Sequence, residues 1–476
     1  MSEGNRALRV LRAIAAFLVR ERWAIVVLVA SLLVRVHWNL RVHPPGDYVY
    51  SDMNGYVGRS AQLWADLWGK REYAGFYPWG THVLIHGLER VLGKGNLVGV
   101  GVVFATFGAL VSMFGYLIAR RVTRFAWIAP LVGLILVFDY PLISLSGYFL
   151  SETPFAVGLM IGTWALLRVV DHGRGYDAWI AGVAIAFATV MRPQILVSVA
   201  LLLPLWFFGR KLWPKLSLGM LVRAAIPLAL ILGFSAARLH YHTDRWGLMS
   251  ENGSFNAVFG RCHVGKIIAL PDRPGRSRTV FGPPPLLQLG KRGTTAPDSW
   301  PQLDPAIDTH FYYYGYIGDA EIHRDYMRQC IAAKGWGKQL EYALVNVLML
   351  WRYNIIWPDS GKSQWAPNAT KWGMIHTHTF AIPAVLAMLI VFVPRRHPKL
   401  ALVAIHLWAA VITAAIYFGD VRLRTPYDPF IVLMALELCA MIGLAAWSWW
   451  SARRFARKQH RNSGNSSGVE AVGPAP

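Results

Sequence analysis

A small set of charged side chains stands out because apolar runs flank each of them. Asp47 and Asp52 share one polar stretch, and Asp139 and Glu152 bracket a turn between two apolar runs. Arg192 lies between two further runs, and Asp420, Arg422, Arg424 and Asp428 bracket the turn before the last one. A charged group at membrane depth is costly unless it faces a cavity or a partner. A carboxylate is a common base for taking a proton from a hydroxyl or amine. Arginine, planar and permanently charged, suits the clamping of a phosphate. Acids and guanidiniums on one side of a bundle therefore point to group transfer from a lipid-borne phosphate. Asp52 and Glu152 are the candidate acids; Arg192, Arg422 and Arg424 are the candidate phosphate ligands.

The elements that must position these groups follow from composition. The 476 residues are 55% hydrophobic and only 16% charged, against ~25% charged in a typical soluble domain. Apolar runs occupy 23–40, 96–119, 126–143, 153–170, 178–191, 194–208, 218–238, 374–394, 400–418 and 429–450. Most are near the ~20 residues that a spanning helix needs. The two short runs at 178–191 and 194–208 are split by Arg192-Pro193 and form either a tight hairpin or one broken helix. The pattern predicts an all-α polytopic membrane protein with about 10–12 transmembrane helices. Residues 23–40 include Arg35 and no small-residue cleavage site follows, so the first run reads as a span and not a signal peptide.

There are 48 Lys and Arg against 26 Asp and Glu, a net charge of +22. Alone, that suggests nucleic acid or an anionic membrane surface. Its distribution assigns it to topology and excludes a nucleic-acid footprint. With the N-terminus in the cytoplasm, basic clusters at Arg120, Arg121 and Arg124, at Arg210, Lys211, Lys215 and Arg223, and at Arg395, Arg396 and Lys399 all fall inside. Only the turn with Asp171, Arg174 and Asp177 breaks the pattern. The chain divides into a basic cytoplasmic start (1–22), an N-terminal transmembrane module (23–238) with a first outer loop at 41–95, a large outer loop domain (239–372), C-terminal transmembrane helices (373–450) and a disordered cytoplasmic tail (451–476). Segments 55–71 and 338–357 read as interfacial helices on the outer leaflet. This places the protein in the plasma (inner) membrane, both termini cytoplasmic and the site extracytoplasmic.

Six segments in order carry a family resemblance. "YSDMNGYVGRSAQ" (50–62) resembles the Asp-x-x-x-Tyr-x-x-x-x-Ala signature in the first loop of GT-C membrane glycosyltransferases of the protein-mannosyltransferase and aminoarabinose-transferase type (glycosyltransferase family 39-like). "YPWGTHVLIHGLERVLG" (77–93), "GYFLSETPF" (147–155), "MRPQ" (191–194), "YMRQCIAAKGWGKQLEYALVNVLMLW" (326–351) and "GDVRLRTPYDPFIVLMA" (419–435) are similar to later stretches of the same family. The resemblance implies a polyprenyl-phosphate sugar donor, and a glycan, lipid or protein acceptor. It implies Asp52 as the base, inversion at the anomeric carbon, and basic residues meeting the departing phosphate. Glu152 would orient the acceptor or hold a cation; a divalent cation is compatible with the pattern and not required by it. Here Met53 follows Asp52 where many relatives carry a second acid. Asp47 is the alternative for that role.

Around the acceptor the expected residues are Asp47, Tyr56, His82, Asp139, Asn256, Arg261 and His263, the last three from "ENGSFNAVFGRCHVGK" (251–266), which reads equally as a structural turn. Cys262 and Cys330 share the outer loop and are either bonded or two separate buried thiols. "FYYYGY" (311–316) offers rings for stacking on sugars or for packing. His376 and His378 sit at i, i+2, which points them apart on a helix and disfavours a metal pair. No Walker A loop or Rossmann fingerprint occurs. A polysaccharide ligase or polymerase shares the same chemistry; a lipid-linked sugar transporter or flippase is the other alternative, and would need inverted repeats that are not seen.

Overall fold

A computed structural model describes residues 19, 21–262, 266–269, 277–280, 288–289, 312–313, 318, 320–351, 371 and 374–466. The membrane body is helical throughout. Helices α1 (Arg22–His37) with its π-helical extension to Val42, α4 (Leu97–Val122), α7 (Glu152–His172) and α10 (Leu218–Thr243) are long and apolar enough to cross a membrane. So are α9 (Ile195–Gly209) with its 3-10 extension, the helix α13 over Met374–Phe392, α14 (Pro398–Ile416), and the final pair α15 (Val421–Arg424) and α16 (Asp428–Ser466). That makes 8 helices long enough to span among the described residues, and a ninth if the bent pair α5 (Ile128–Phe138) and α6 (Tyr140–Ser146) counts as one span. The protein is thus a multi-pass membrane protein.

α8 (Gly175–Met191) has 17 residues, just short of a full span by length. It nevertheless joins the same two ends as its neighbours. Near its start, Asp177 pairs with Arg168 of α7 at 2.7 Å; directly after its end, Arg192 pairs with Glu152 at the start of α7 at 2.5 Å. α7 and α8 therefore run antiparallel over their whole length, and α8 completes the tenth run expected. Arg192-Pro193 makes a tight turn into α9, since proline supplies no N–H to continue a helix.

One end of the bundle gathers the basic turns. Asp171 pairs with Arg121 at 2.7 Å and with Lys399 at 2.6 Å, and its carbonyl accepts from Lys215. The acid that interrupts the basic pattern in sequence is thus the shared counter-ion of two basic turns, and its backbone carbonyl holds a third. The charged groups of interest lie at the other end.

The bend between α5 and α6 has a clear cause. Pro141 in the first turn of α6 cannot extend α5, and α5 closes at Phe138. Asp139 caps α6 by accepting from the Leu142 N–H at 3.3 Å. The carbonyls of Leu136 and Val137, freed at the end of α5, accept from Arg35 at 3.1 and 3.2 Å. The buried arginine of the first span is therefore a structural donor for broken-helix carbonyls, which could not be left bare in an apolar interior.

Shorter elements cover the site end: α2 (Asp52–Ala65), α3 (Gly80–Leu92), α11 (Asn252–Arg261) and α12 (Ala320–Trp351). α2 covers residues 55–65 of the first segment expected to be interfacial and α12 residues 338–351 of the second, whose remainder lies outside the described residues; α12 kinks at Gly335, whose φ of 73° a side chain would resist. The strands described are brief: β1 (Lys266–Ala269) pairs antiparallel with β2 (Ser277–Val280), and β3 (Gln288–Leu289) runs parallel to β4 (Tyr312–Tyr313). They belong to the outer loop and leave the body all-α.

Candidate active site

Asp52 opens α2, which begins beside Ser51, a residue held at φ 51°. Glu152 opens α7, and Arg422 lies on the short helix α15. These three segments meet. Arg422 Nη1 donates to Asp52 Oδ2 at 3.1 Å, and its Nε donates to Glu152 Oε1. One guanidinium thus bridges the two carboxylates named from the sequence. Arg192 reaches the same Glu152 oxygen and lies 3.5 Å from the Ser151 hydroxyl. Glu152, fully buried, is neutralised by two arginines, as a buried carboxylate must be.

The two acids are not equivalent. The Asp52 side chain is 31% exposed, that of Glu152 0%. Asp52 has one guanidinium on one oxygen, and its other oxygen accepts from the Tyr77 hydroxyl at 3.2 Å. Tyr56 packs 5.4 Å from the Tyr77 ring. Burial, then the charge on Asp52, then that on Glu152, push the Tyr56 hydroxyl up to about 12. Burial and Asp52 push Tyr77 up further. Both phenols stay protonated at ordinary pH. The Arg59 guanidinium lies over the Tyr77 ring, 4.6 Å from its centre.

The turn that carries Arg422 is held from outside the bundle. Asp420 caps α15 by accepting from the Arg422 N–H at 2.7 Å. Arg261, at the end of α11, donates to the last carbonyls of α14, with Nε to Ile416 at 3.1 Å and Nη2 to Ala415 at 2.5 Å. Asn346 of α12 donates to the Tyr417 carbonyl at 3.4 Å and to that of Gly260 at 3.3 Å. The backbones touch here: a Cβ on Gly260 would lie 1.7 Å from the Tyr417 oxygen, and one on Gly419 1.7 Å from the Asn346 oxygen. Only glycine fits either position. Cys262 and Cys330 form a disulfide with Cα atoms 5.5 Å apart, tying α11 to α12 beside this clamp. α11 also anchors to the first loop, where the Asn252 N–H donates to the Phe76 carbonyl at 3.1 Å.

Of the expected residues, Asp52, Glu152, Arg192 and Arg422 come together, with Tyr56 beside them. Arg424 does not join them: it is buried, 3.4 Å from Asp428. Asp139 lies with Asp428 and His376 in that second cluster. Asp47 is exposed on the turn Pro45–Tyr48, and Asn256 is exposed on α11. Arg261 is a helix cap. His82 is buried on α3, where burial and then the Arg238 and Arg59 guanidiniums hold its imidazole well below the ordinary range. His263 lies outside the described residues. Tyr77 and Ser151 are site neighbours that sequence reasoning missed; each stands inside a quoted motif, which was the signal available.

Residues 23–239 match the family model described as dolichyl-phosphate-mannose-protein mannosyltransferase. The match runs from α1 to α10 and includes Asp52, Glu152 and Arg192. It does not include Arg422. The match covers 217 of the 476 residues, so the N-terminal module is similar to that family and the rest of the chain lies outside the likeness. No curated protein matches the chain.

Proposed function

We propose that the protein moves a sugar from a polyprenyl-phosphate-linked donor to an acceptor at the extracytoplasmic face of the plasma membrane. The observation that carries this reading is the Arg422 bridge between Asp52 and Glu152. It supports a division of labour. Asp52, partly exposed and paired on one oxygen only, is the base that takes the acceptor proton. Glu152, buried between Arg192 and Arg422, is a positioning residue that holds the two guanidiniums. Those guanidiniums meet the charge that develops on the leaving phosphate, an electrostatic stabilisation that needs no metal in this step. The acceptor oxygen or nitrogen forms the new bond at the anomeric carbon, and the bond to the phosphate oxygen breaks on the opposite face, so configuration inverts.

Arg424 drops out of the phosphate set. The extracytoplasmic assignment rests on the basic turns at the opposite end, which the positive-inside rule assigns to the cytoplasm. The direct test is Asp52→Asn in purified protein given a polyprenyl-phosphate sugar and a range of acceptors. Transfer falls by roughly 10²–10⁴, the range for a removed general base, with expression unchanged. Retained turnover overturns the assignment of the base. Mass spectrometry of the product separates transfer of one sugar from transfer of a glycan block, and movement of labelled lipid in vesicles without glycosylation would instead favour a transporter.

A further inference from the structure

Beyond the catalytic acids lies a second charged cluster, assembled from the α5–α6 bend (Asp139), the start of α13 (His376) and the start of α16 (Asp428). One ligand atom from each lies within 4.8 Å of the other two. All three are buried: Asp428 is 0% exposed, His376 2% and Asp139 5%. Both carboxylate oxygens of Asp428 and both ring nitrogens of His376 lack a hydrogen-bond partner. Such groups are costly in an apolar interior, and each requires something to occupy it. The contacts they do make are long. His376 Nε2 and Arg424 Nε each stand 3.4 Å from Asp428 Oδ1, against the ~2.7–2.9 Å of a charge-assisted hydrogen bond.

We infer that Asp139, His376 and Asp428 bind a divalent first-row metal ion, with zinc the leading choice. One imidazole and two carboxylates are a ligand set that zinc accepts, at separations that small side-chain rotations close. The neighbouring guanidiniums do not fill the place. Arg424 turns Nη1 toward the Trp351 carbonyl at 3.4 Å. Arg35 is occupied by Ser31 and the α5 carbonyls. Two carboxylates therefore face one loosely engaged arginine.

The ion would staple parts of the chain that nothing in sequence joins: the bend inside the family-matching module and the first residues of α13 and α16. Asp428 lies six residues after Arg422, so the staple also fixes the turn that presents Arg422. The role is structural, and it stands or falls independently of the proposed reaction.

The test is metal content. The full chain in lipid nanodiscs is stripped with chelator, incubated with Zn²⁺ or Co²⁺ and desalted. The wild type is expected to retain about one equivalent, as a structural metal site does, and to melt at higher temperature with metal than without. Co²⁺ should give d–d bands without thiolate charge transfer. His376→Gln and Asp428→Asn lose the metal and the thermal shift, while His378→Gln, two residues away and exposed, keeps both. Should Asp428→Asn fail to fold, His376→Gln decides the matter alone. Absence of bound metal in the wild type, or retention by His376→Gln, overturns the site; so does equal loss in His378→Gln.

Discussion

Arg422 and Arg424 sit on the same short helix, two residues apart, and meet opposite fates. Arg422 is 15% exposed and bridges the carboxylates of Asp52 and Glu152; Arg424 is 1% exposed and turns to Asp428. Positions i and i+2 of a helix do not face each other, so one helical turn feeds two separate charge clusters. The difference teaches what separates a site for chemistry from one for structure. The first cluster keeps an open side: Asp52 is 31% exposed and makes only partial use of its lone pairs. The second is closed on every side. A substrate can reach the first, whereas only a small ion or a proton fits the second.

Conservative replacement breaks or sharpens this comparison most directly. Arg422→Lys keeps the charge and loses the planar fork that reaches two carboxylates at once. Sugar transfer falls by about 10²-fold or more, the scale of one lost preorganised donor, with little change in melting temperature. Arg424→Lys does the reverse, with turnover within a fewfold of wild type and a lowered melting temperature. Equal loss of turnover in both, with stability intact, would mean that the two clusters act as one. Below that in size comes the clamp behind Arg422. Reducing the Cys262–Cys330 disulfide, or replacing both cysteines by serine, frees α11 from α12. Stability falls by roughly 2–4 kcal/mol, read as an earlier thermal transition, and turnover falls because the α14–α15 turn loosens. An unchanged transition would show that Arg261 and Asn346 hold the turn unaided.

The spans were legible because hydrocarbon thickness sets a length that any apolar run can be measured against. Glu152 was legible because it opens such a run, whereas Asp52, in the polar stretch 41–95, is named chiefly through the family resemblance. What sequence could not supply was assembly. Asp139, His376 and Asp428 come from three distant segments, and each alone reads as a cap or an anchor. Asp171 looked like an exception to the basic pattern because its partners, Arg121 and Lys399, are remote in sequence. Arg424 is instructive in a different way. The i, i+2 argument that separated His376 from His378 applies equally to Arg422 and Arg424, and would have assigned them to different faces. Arg261 is expected near the acceptor from its polar, Gly-rich segment, while its work is to satisfy carbonyls of a helix end that cannot be seen until α11 meets α14. The structural role of Arg35 was hidden for the same reason: only the break at Asp139 creates the carbonyls it serves.

The hydroxyl pair beside Asp52 gives smaller effects that probe the open side of the comparison. Tyr77→Phe removes the donor to Asp52 Oδ1, a contact worth about 1 kcal/mol, and turnover falls by roughly fivefold. The ring and its contact with Arg59 remain, so stability barely moves; a large stability loss would recast Tyr77 as a packing residue. Tyr56→Phe is smaller still below pH 10, and its signature is a sign. The Tyr56 hydroxyl is pushed up to about 12 in the folded chain, against ~10 when unfolded. The unfolded chain therefore loses this proton first as pH rises. Its contribution is intact below about pH 10, declines between about 10 and 12, and is gone above both values. Replacing Tyr56 by Phe removes that decline, so the variant loses less stability between pH 9 and pH 11, checked by denaturation midpoints at the two pH values. An identical slope would mean that Tyr56 opens to solvent before it titrates, and that the first cluster is wetter around its base than the packing of Tyr56 against Tyr77 implies.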